Sequence, residues 1–202
     1  MSVTVPVTVS TGVPWPSDWS AAVLCGGASR RMGRDKALLG PPERPLAARV
    51  RAAIIECGIV DVLLVGGDGD RLQRHGPWVP DDEPGAGPLS ALATVQRLRS
   101  ARPLLVCACD LPGLTGGACR PLVQAVEDGA AVAVPVLDGR PAWSCVALSA
   151  AAGRSVAAAV AAGERSMHGG LGGLNPAARL EVSGSVFADV DDPAALAEFT
   201  DG

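Results

Sequence analysis

The chain predicts an α/β fold of three layers, a mainly parallel sheet covered on both faces by helices. Continuous apolar runs of strand length alternate with segments whose apolar residues recur at helical spacing. Strands buried on both faces read as such unbroken runs, and helices between them cover the sheet. The 202 residues suit one domain with a full core, and no internal repeat or low-complexity linker divides them.

Met1–Trp19 is rich in Thr, Val, Ser and Pro without a helical period, and reads as an N-terminal extension docked by Trp15 and Trp19; residues 20–202 form the single expected domain. Ala21–Cys25 is a short apolar strand. Pro45–Cys57 places Leu46, Val50, Ile54 and Cys57 on one helical face, with Pro45 at the opening and Gly58 just past the end. Val60–Val65 is a second strand, Asp68–His75 a short polar helix, and Val79 begins a third strand. Pro88–Leu98 is helical, Pro103–Cys107 a fourth strand, Thr115–Glu127 a helix and Ala131–Val136 a fifth strand. Ala142–Leu148 is a further strand and Ala150–Ala162 a helix. A glycine-rich patch then leads to a last strand, Arg179–Val182, and a closing helix from Pro193.

Composition narrows the function. The formal charge is −4, with 17 Lys+Arg against 21 Asp+Glu, which disfavours sequence-independent binding along a nucleic-acid backbone but leaves room for a local basic pocket. Six cysteines lack C-x-x-C spacing, and most sit among Val, Leu and Ala, so they are expected as small buried hydrophobes in a reducing cytoplasm. The N-terminus lacks the basic and apolar regions of a signal peptide, and no run reaches the ~18 apolar residues of a membrane span. A cytoplasmic protein is expected.

In a parallel sheet, ligands sit beyond the carboxyl ends of the strands, so the segments that follow strands are where chemistry belongs. After the first strand comes Leu24-Cys25-Gly26-Gly27-Ala28-Ser29-Arg30-Arg31-Met32-Gly33-Arg34-Asp35-Lys36. Its glycines let backbone N–H groups approach a ligand, and Arg31 and Lys36 add charge where a polyphosphate would lie. Neither G-x-x-x-x-G-K-[ST] nor G-x-G-x-x-G occurs, so this phosphate-binding loop is of neither commonest kind. After the second strand, Gly66-Gly67-Asp68-Gly69-Asp70 is a turn in which Asp68 or Asp70 suits a helix cap.

The third exit, Pro80-Asp81-Asp82-Glu83-Pro84-Gly85-Ala86-Gly87-Pro88-Leu89, is stiffened by prolines ahead of a helix and can present N–H groups to a base edge. Asp81 there is either a ligand-binding side chain or the acceptor of an Asx turn. The fourth exit, Cys107-Ala108-Cys109-Asp110-Leu111-Pro112, carries a carboxylate suited to hold Mg²⁺ against phosphate oxygens. In Phe187-Ala188-Asp189-Val190-Asp191-Asp192-Pro193, alternation places Asp189 and Asp191 on one face, with Asp192 as the helix cap. His75 and His168, the only histidines, have no triad-like or metal-like spacing, which disfavours acyl-transfer hydrolysis.

The order L-x-G-G-x-x-x-R-M-G-x-D-K, then P-D-x-x-P-G-x-G-P-L, then C-D-x-P resembles the MobA-like nucleotidyltransferases, the molybdenum cofactor guanylyltransferase family, over roughly Ala21–Phe199. The resemblance implies a Rossmann-like domain with a mixed sheet, parallel at its centre. It implies transfer of GMP from GTP to the phosphate of a molybdopterin cofactor, with release of pyrophosphate. Arg31, Lys36 and Asp110 would be catalytic, and Asp110 would bind the catalytic Mg²⁺. Leu24, Cys25, Gly26, Gly27, Lys36, Asp81 and Asp110 would bind the nucleotide, with Asp191 as a candidate second metal ligand. Arg165, in Gly163-Glu164-Arg165-Ser166, would meet the acceptor's phosphate or pair with a neighbouring carboxylate. Proteins of molybdoenzyme maturation would be partners. The family can carry an asparagine where this chain has Gly66, so only a backbone contact carries over there. Asp189 and Asp191 stand where the guanylyltransferases often read N-V-N-T-P and resemble cytidylyl- and sugar-nucleotidyl relatives. A cytidylyl- or sugar-nucleotide transferase on the same scaffold is therefore one alternative, and a non-catalytic nucleotide-binding protein another.

Overall fold

The computed structural model describes residues 18–26, 35–100, 102–182 and 185–190. Along the chain run β1 (Ser20–Leu24), α1 (Leu46–Cys57), β2 (Asp61–Val65), α2 (Gly69–Leu72), β3 (Trp78–Val79) and α3 (Pro88–Leu98). Then come β4 (Leu104–Ala108), α4 (Gly116–Glu127), β5 (Val132–Leu137), β6 (Arg140–Pro141), β7 (Cys145–Leu148), α5 (Ala150–Ala161), α6 (Met167–Leu171) and β8 (Ala177–Glu181). A single-turn 3-10 helix, Lys36–Leu38, follows the first loop.

The strands join in the order β3-β2-β1-β4-β7-β5-β6, with β8 beside β5. β1 pairs in parallel with β2 and β4, and β2 with β3. β7 is inserted antiparallel between β4 and β5, and β8 runs parallel to β5. The expected mainly parallel sheet is thus parallel at its centre and mixed on one side.

Alternation along each strand divides the core between the two faces. Ala21 and Val23 of β1, with Leu105 and Cys107 of β4, pack with Ile54 of α1 and Leu122 of α4. Ala22 and Leu24, with Leu104 and Val106, pack with Leu92 of α3, Val156 of α5 and Leu171 of α6. Helix ends follow the chemistry of their flanking residues. Gly58 closes α1 at φ 110°, Pro88 opens α3 behind Gly87, and the side chains of Thr115, Ser149 and Ser166 accept first-turn N–H groups of α4, α5 and α6.

Several expected bounds shift. The helix expected over Asp68–His75 is the single turn Gly69–Leu72, capped by Asp68. The strand expected from Ala142 begins at Cys145, because Ala142–Ser144 turn at the sheet edge, where Ala142 O accepts from Cys145 N at 3.3 Å. The last strand starts two residues early, at Ala177. β6 was not expected: it closes a hairpin with β5 through Asp138 and Gly139, both at positive φ. Trp19 is buried against the core and its indole donates to Glu127, while Trp15 and the closing helix from Pro193 lie outside the described residues. All six cysteines are free and buried, as expected.

The amino end of the sheet is tied by one carboxylate. Asp61 accepts two hydrogen bonds from Arg99, at 2.7 and 3.0 Å, one from Ser20 Oγ at 2.7 Å and one from Arg102 at 3.3 Å. The Arg99 hydrogen bonds hold its carboxyl below the usual range, with Ser20 and the Arg99 and Arg102 charges adding to the effect against the opposing effect of burial. A carboxyl with a lowered folded pKa contributes stability above its unfolded pKa and loses it as pH falls through the folded value. Asp61→Asn is therefore expected to cost about 1–3 kcal/mol at neutral pH. In urea titrations over a descending pH series, the difference from the native chain should hold above about pH 5 and shrink below about pH 4. A difference that does not change with pH would show that the carboxylate charge contributes nothing.

Candidate active site

Four neighbouring strands end level with one another. Leu24 stands opposite Val65 and Ala108, and Val65 opposite Val79. The segments that follow them therefore form one rim at the carboxyl edge of the sheet.

The β1 exit continues its ladders for one step: Cys25 N donates to Val65 O at 2.8 Å, and Leu24 O accepts from Cys109 N at 3.1 Å. Gly26 is the first residue past these sheet bonds. Gly27, Arg31 and Gly33 lie outside the described residues. Where the loop returns, Asp35 accepts from Ala37 N through Oδ1 at 3.0 Å, capping the 3-10 turn, and from Asp68 N through Oδ2 at 2.9 Å. One carboxylate thus joins the returning loop to the β2 exit. Sequence reading assigned Asp35 no role, although an aspartate just before a helical turn is a cap signal.

That turn aims Lys36 at the β4 exit, where its Nζ lies 3.2 Å from Asp110 Oδ2. The two side chains are only 17% and 20% exposed, so solvent screens the pair weakly. Asp110 O accepts from Val190 N at 3.0 Å, which fixes the exit against the C-terminal segment.

The β2 exit shows why glycine stands at position 66. Its φ is +73°, and a Cβ there would lie 3.2 Å from Gly26 N and 3.5 Å from Asp81 Cβ. Gly67 has φ +70°, and its Cβ would lie 2.9 Å from Leu72 Cδ1 and 3.1 Å from Cys25 O. Gly26, Gly66 and Asp81 therefore meet backbone to side chain. Asp81 does two things at once: Oδ1 accepts from Glu83 N at 3.1 Å as an Asx turn, while Oδ2 faces Gly26.

Arg165 packs against the far end of the β3 exit segment. Its carbonyl accepts from Leu89 N at 3.1 Å, and Gly87 packs directly against it. Its guanidinium donates to Val160 O and Glu164 O and lies 3.9 Å from Glu83. Of the alternatives for Arg165, the structure displays the neighbouring carboxylate. Asp189 is exposed, and Asp191 lies outside the described residues.

The cysteines beside the site are thiols rather than nucleophiles. Burial, with the Asp35 charge second, pushes Cys25 up to about 12. Burial likewise holds Cys109 well above its ordinary value, with Cys25 and the Asp110 charge adding to it. No helix among the described residues is long and apolar enough to cross a membrane.

A rim of backbone turns around a lysine–carboxylate pair, at the carboxyl edge of parallel strands, defines a nucleotide-handling α/β domain. The chain belongs to the MobA-like NTP transferase domain family, whose model matches residues 21–174. It is 37% identical over 155 residues to the probable molybdenum cofactor guanylyltransferase of Mycobacterium marinum, covering 73% of this chain and 76% of that protein. The molybdenum cofactor guanylyltransferase of Xanthomonas euvesicatoria is 38% identical over 98 residues, which cover 48% of this chain and 49% of that protein. Among solved structures, molybdopterin-guanine dinucleotide biosynthesis protein A from Archaeoglobus fulgidus superposes with a TM-score of 0.71 at 19% identity, over 90% of this chain and 96% of that one. Rv0371C of Mycobacterium tuberculosis, solved as a complex with manganese, superposes at 0.67 with 17% identity, over 92% and 99%. These likenesses agree with the family expected from the loop motifs and with its fold.

The glycine geometry yields a graded expectation. Gly85 has φ +83° and nothing within 4 Å of where a Cβ would stand, so Gly85→Ala should carry only the left-handed backbone penalty, about 1 kcal/mol. Gly66→Ala and Gly67→Ala meet backbone as well and should cost clearly more in the same urea titration. Equal losses at all three positions would mean that the exits are not closely packed.

Proposed function

We propose that the chain transfers GMP from GTP to the phosphate of a molybdopterin cofactor, forming a guanine dinucleotide cofactor and pyrophosphate. The observation that carries this reading is the Lys36–Asp110 pair, 3.2 Å apart on the rim that Gly26, Gly66 and Asp81 share. The names of the curated relatives support the choice of guanylyl transfer.

In this reaction an acceptor phosphate oxygen attacks the α-phosphorus in line, a new P–O bond forms, and the bond to the β-phosphate oxygen breaks. The protein need supply no covalent nucleophile; it positions the partners and neutralises charge. Gly26 and the Gly66–Gly67 turn bring backbone to the nucleoside, and Asp81 offers its free oxygen beside them. Lys36 and Arg31 stabilise the leaving pyrophosphate. Asp110 suits Mg²⁺: a hard oxygen donor at a strand exit, partly open to solvent, beside a phosphate-binding lysine. No group of three or more ligand side chains that could hold a metal occurs among the described residues. One carboxylate completed by substrate phosphates and water is a usual Mg²⁺ set, and Asp191 is a candidate to join it. Mg²⁺, when bound, would neutralise charge at the α-phosphate. Arg165 would meet the acceptor's phosphate by exchanging its Glu83 contact. The reaction would run in the cytoplasm on one domain, residues 20–202, with residues 1–19 as an extension and molybdoenzyme-maturation proteins downstream.

Purified protein with a molybdopterin source and each NTP, scored by pyrophosphate release, tests the reading. GTP should exceed ATP, CTP and UTP by at least tenfold, since fixed backbone partners matched to guanine leave other bases with unpaired groups. CTP performing as well as GTP would replace guanylyl by cytidylyl transfer. Asp110→Ala should abolish turnover with an unchanged circular dichroism spectrum. Near-native rates at millimolar Mg²⁺ would remove Asp110 from the metal role.

A further inference from the structure

The chain has four tryptophans, two phenylalanines and no tyrosine, so each aromatic side chain at the rim is a rare resource. Three tryptophans lie among the described residues. Trp19 donates its indole N–H to Glu127, and Trp78 donates to Gly66 O at 2.8 Å. Trp143 has no hydrogen-bond partner for its indole N–H among the described residues, and its ring is half-buried rather than enclosed.

Its position follows from the reversal of β7. An antiparallel strand brings its beginning, not its end, to the carboxyl edge of the parallel strands. Cys145 stands opposite Cys107, and Ser144 O accepts from Ala108 N at 2.7 Å, two residues before Asp110. Trp143 therefore sits on the rim one strand away from Asp110, on the side opposite β1. Its ring meets the ring of His168, with centroids 5.7 Å apart and planes tilted by 56°.

His168 is brought there by the glycine-rich patch. A Cβ at Gly170 would lie 2.5 Å from Leu89 Cδ2, so glycine there lets α6 seat closely against the start of α3. α6 follows directly on Arg165 and the Ser166 cap. Trp143 and His168 thus lie beyond Asp110 along the row of strand ends from Gly26, Gly66 and Asp81, and the start of α6 links them to Arg165 beside the β3 exit loop.

We propose that Trp143, paired with His168, is the shelf that receives the fused heterocycle of the acceptor. In-line displacement requires the attacking and leaving oxygens on opposite sides of the α-phosphorus. With the pyrophosphate held by the β1 loop, the attacking phosphate enters from the β7 side, where this shelf lies. The indole face offers stacking to a planar ring, and its N–H offers a hydrogen bond to a ring carbonyl or nitrogen. This inference rests on the acceptor class stated under the proposed function.

Steady-state kinetics with GTP and metal-free molybdopterin would test it. Trp143→Ala should raise the KM for the acceptor by roughly ten- to a hundredfold, the usual size of a lost stacking contact. The KM for GTP and kcat at saturating acceptor should stay within about twofold. Trp143→Phe, which keeps a ring and fills most of the same space, should recover most of the loss. An unchanged acceptor KM in Trp143→Ala overturns the shelf, as does an equal loss in the GTP parameters or a loss that Phe does not repair. If the native protein turns over no NTP, the guanylyltransferase reading fails, and equilibrium dialysis of metal-free molybdopterin then decides the shelf separately. Binding weakened at least tenfold by Trp143→Ala supports it, and binding that is absent from the native protein or unchanged in the variant overturns it.

Discussion

The site depends on a matter of register: β3, β2, β1 and β4 stop at the same level, with Val79, Val65, Leu24 and Ala108 in one row. Parallel strands lie about 4.8 Å apart, so the row from Asp81 to Asp110 spans roughly 14 Å, about the length of a nucleotide with its phosphates. If one strand slipped by a residue, its core-facing side chains would turn to the opposite face and its exit would leave the row. The same hydrophobic alternation that fills the two faces therefore aligns the candidate site residues at the strand exits.

The two ends of the sheet use charge differently. At the amino end, Asp61 is saturated by Arg99, Arg102 and Ser20, and its contacts join β1, β2 and the segment between α3 and β4. At the carboxyl end, Asp110 has one lysine, and Asp81 keeps an oxygen turned toward Gly26. A fully hydrogen-bonded carboxylate has a structural role; one with remaining acceptor capacity at a strand exit can take a ligand.

Much of this was legible in the residues. Unbroken apolar runs announced the buried strands, and the exits Gly26, Asp81 and Asp110 followed once the sheet was read as parallel. The reversal of β7 was not legible from periodicity, because a short apolar strand reads the same in either direction. That reversal explains why no role was assigned to Trp143, which precedes its strand. The Asp138-Gly139 hairpin signal was present in the sequence and passed unread, and with it β6. Asp35 stands in the motif as a local cap, but its second hydrogen bond, accepted from Asp68 N, spans 33 positions that no local pattern carries. The positive φ of Gly66, by contrast, gives a physical reason for a departure visible in the sequence alone.

The β5–β6–β7 hairpin also has a bearing on how such a protein diversifies. The β3–β2–β1–β4 side of the rim is built from helical crossovers, in which a length change must be absorbed by helix packing as well as by the loop. The opposite side is reached through the short segment 138–144, whose residues are mostly surface-accessible. A hairpin arm of this kind can lengthen, shorten or change its aromatic content while the parallel strands keep their register. Evolution can thus alter this arm without rebuilding the strand exits that carry Gly26, Asp81 and Asp110.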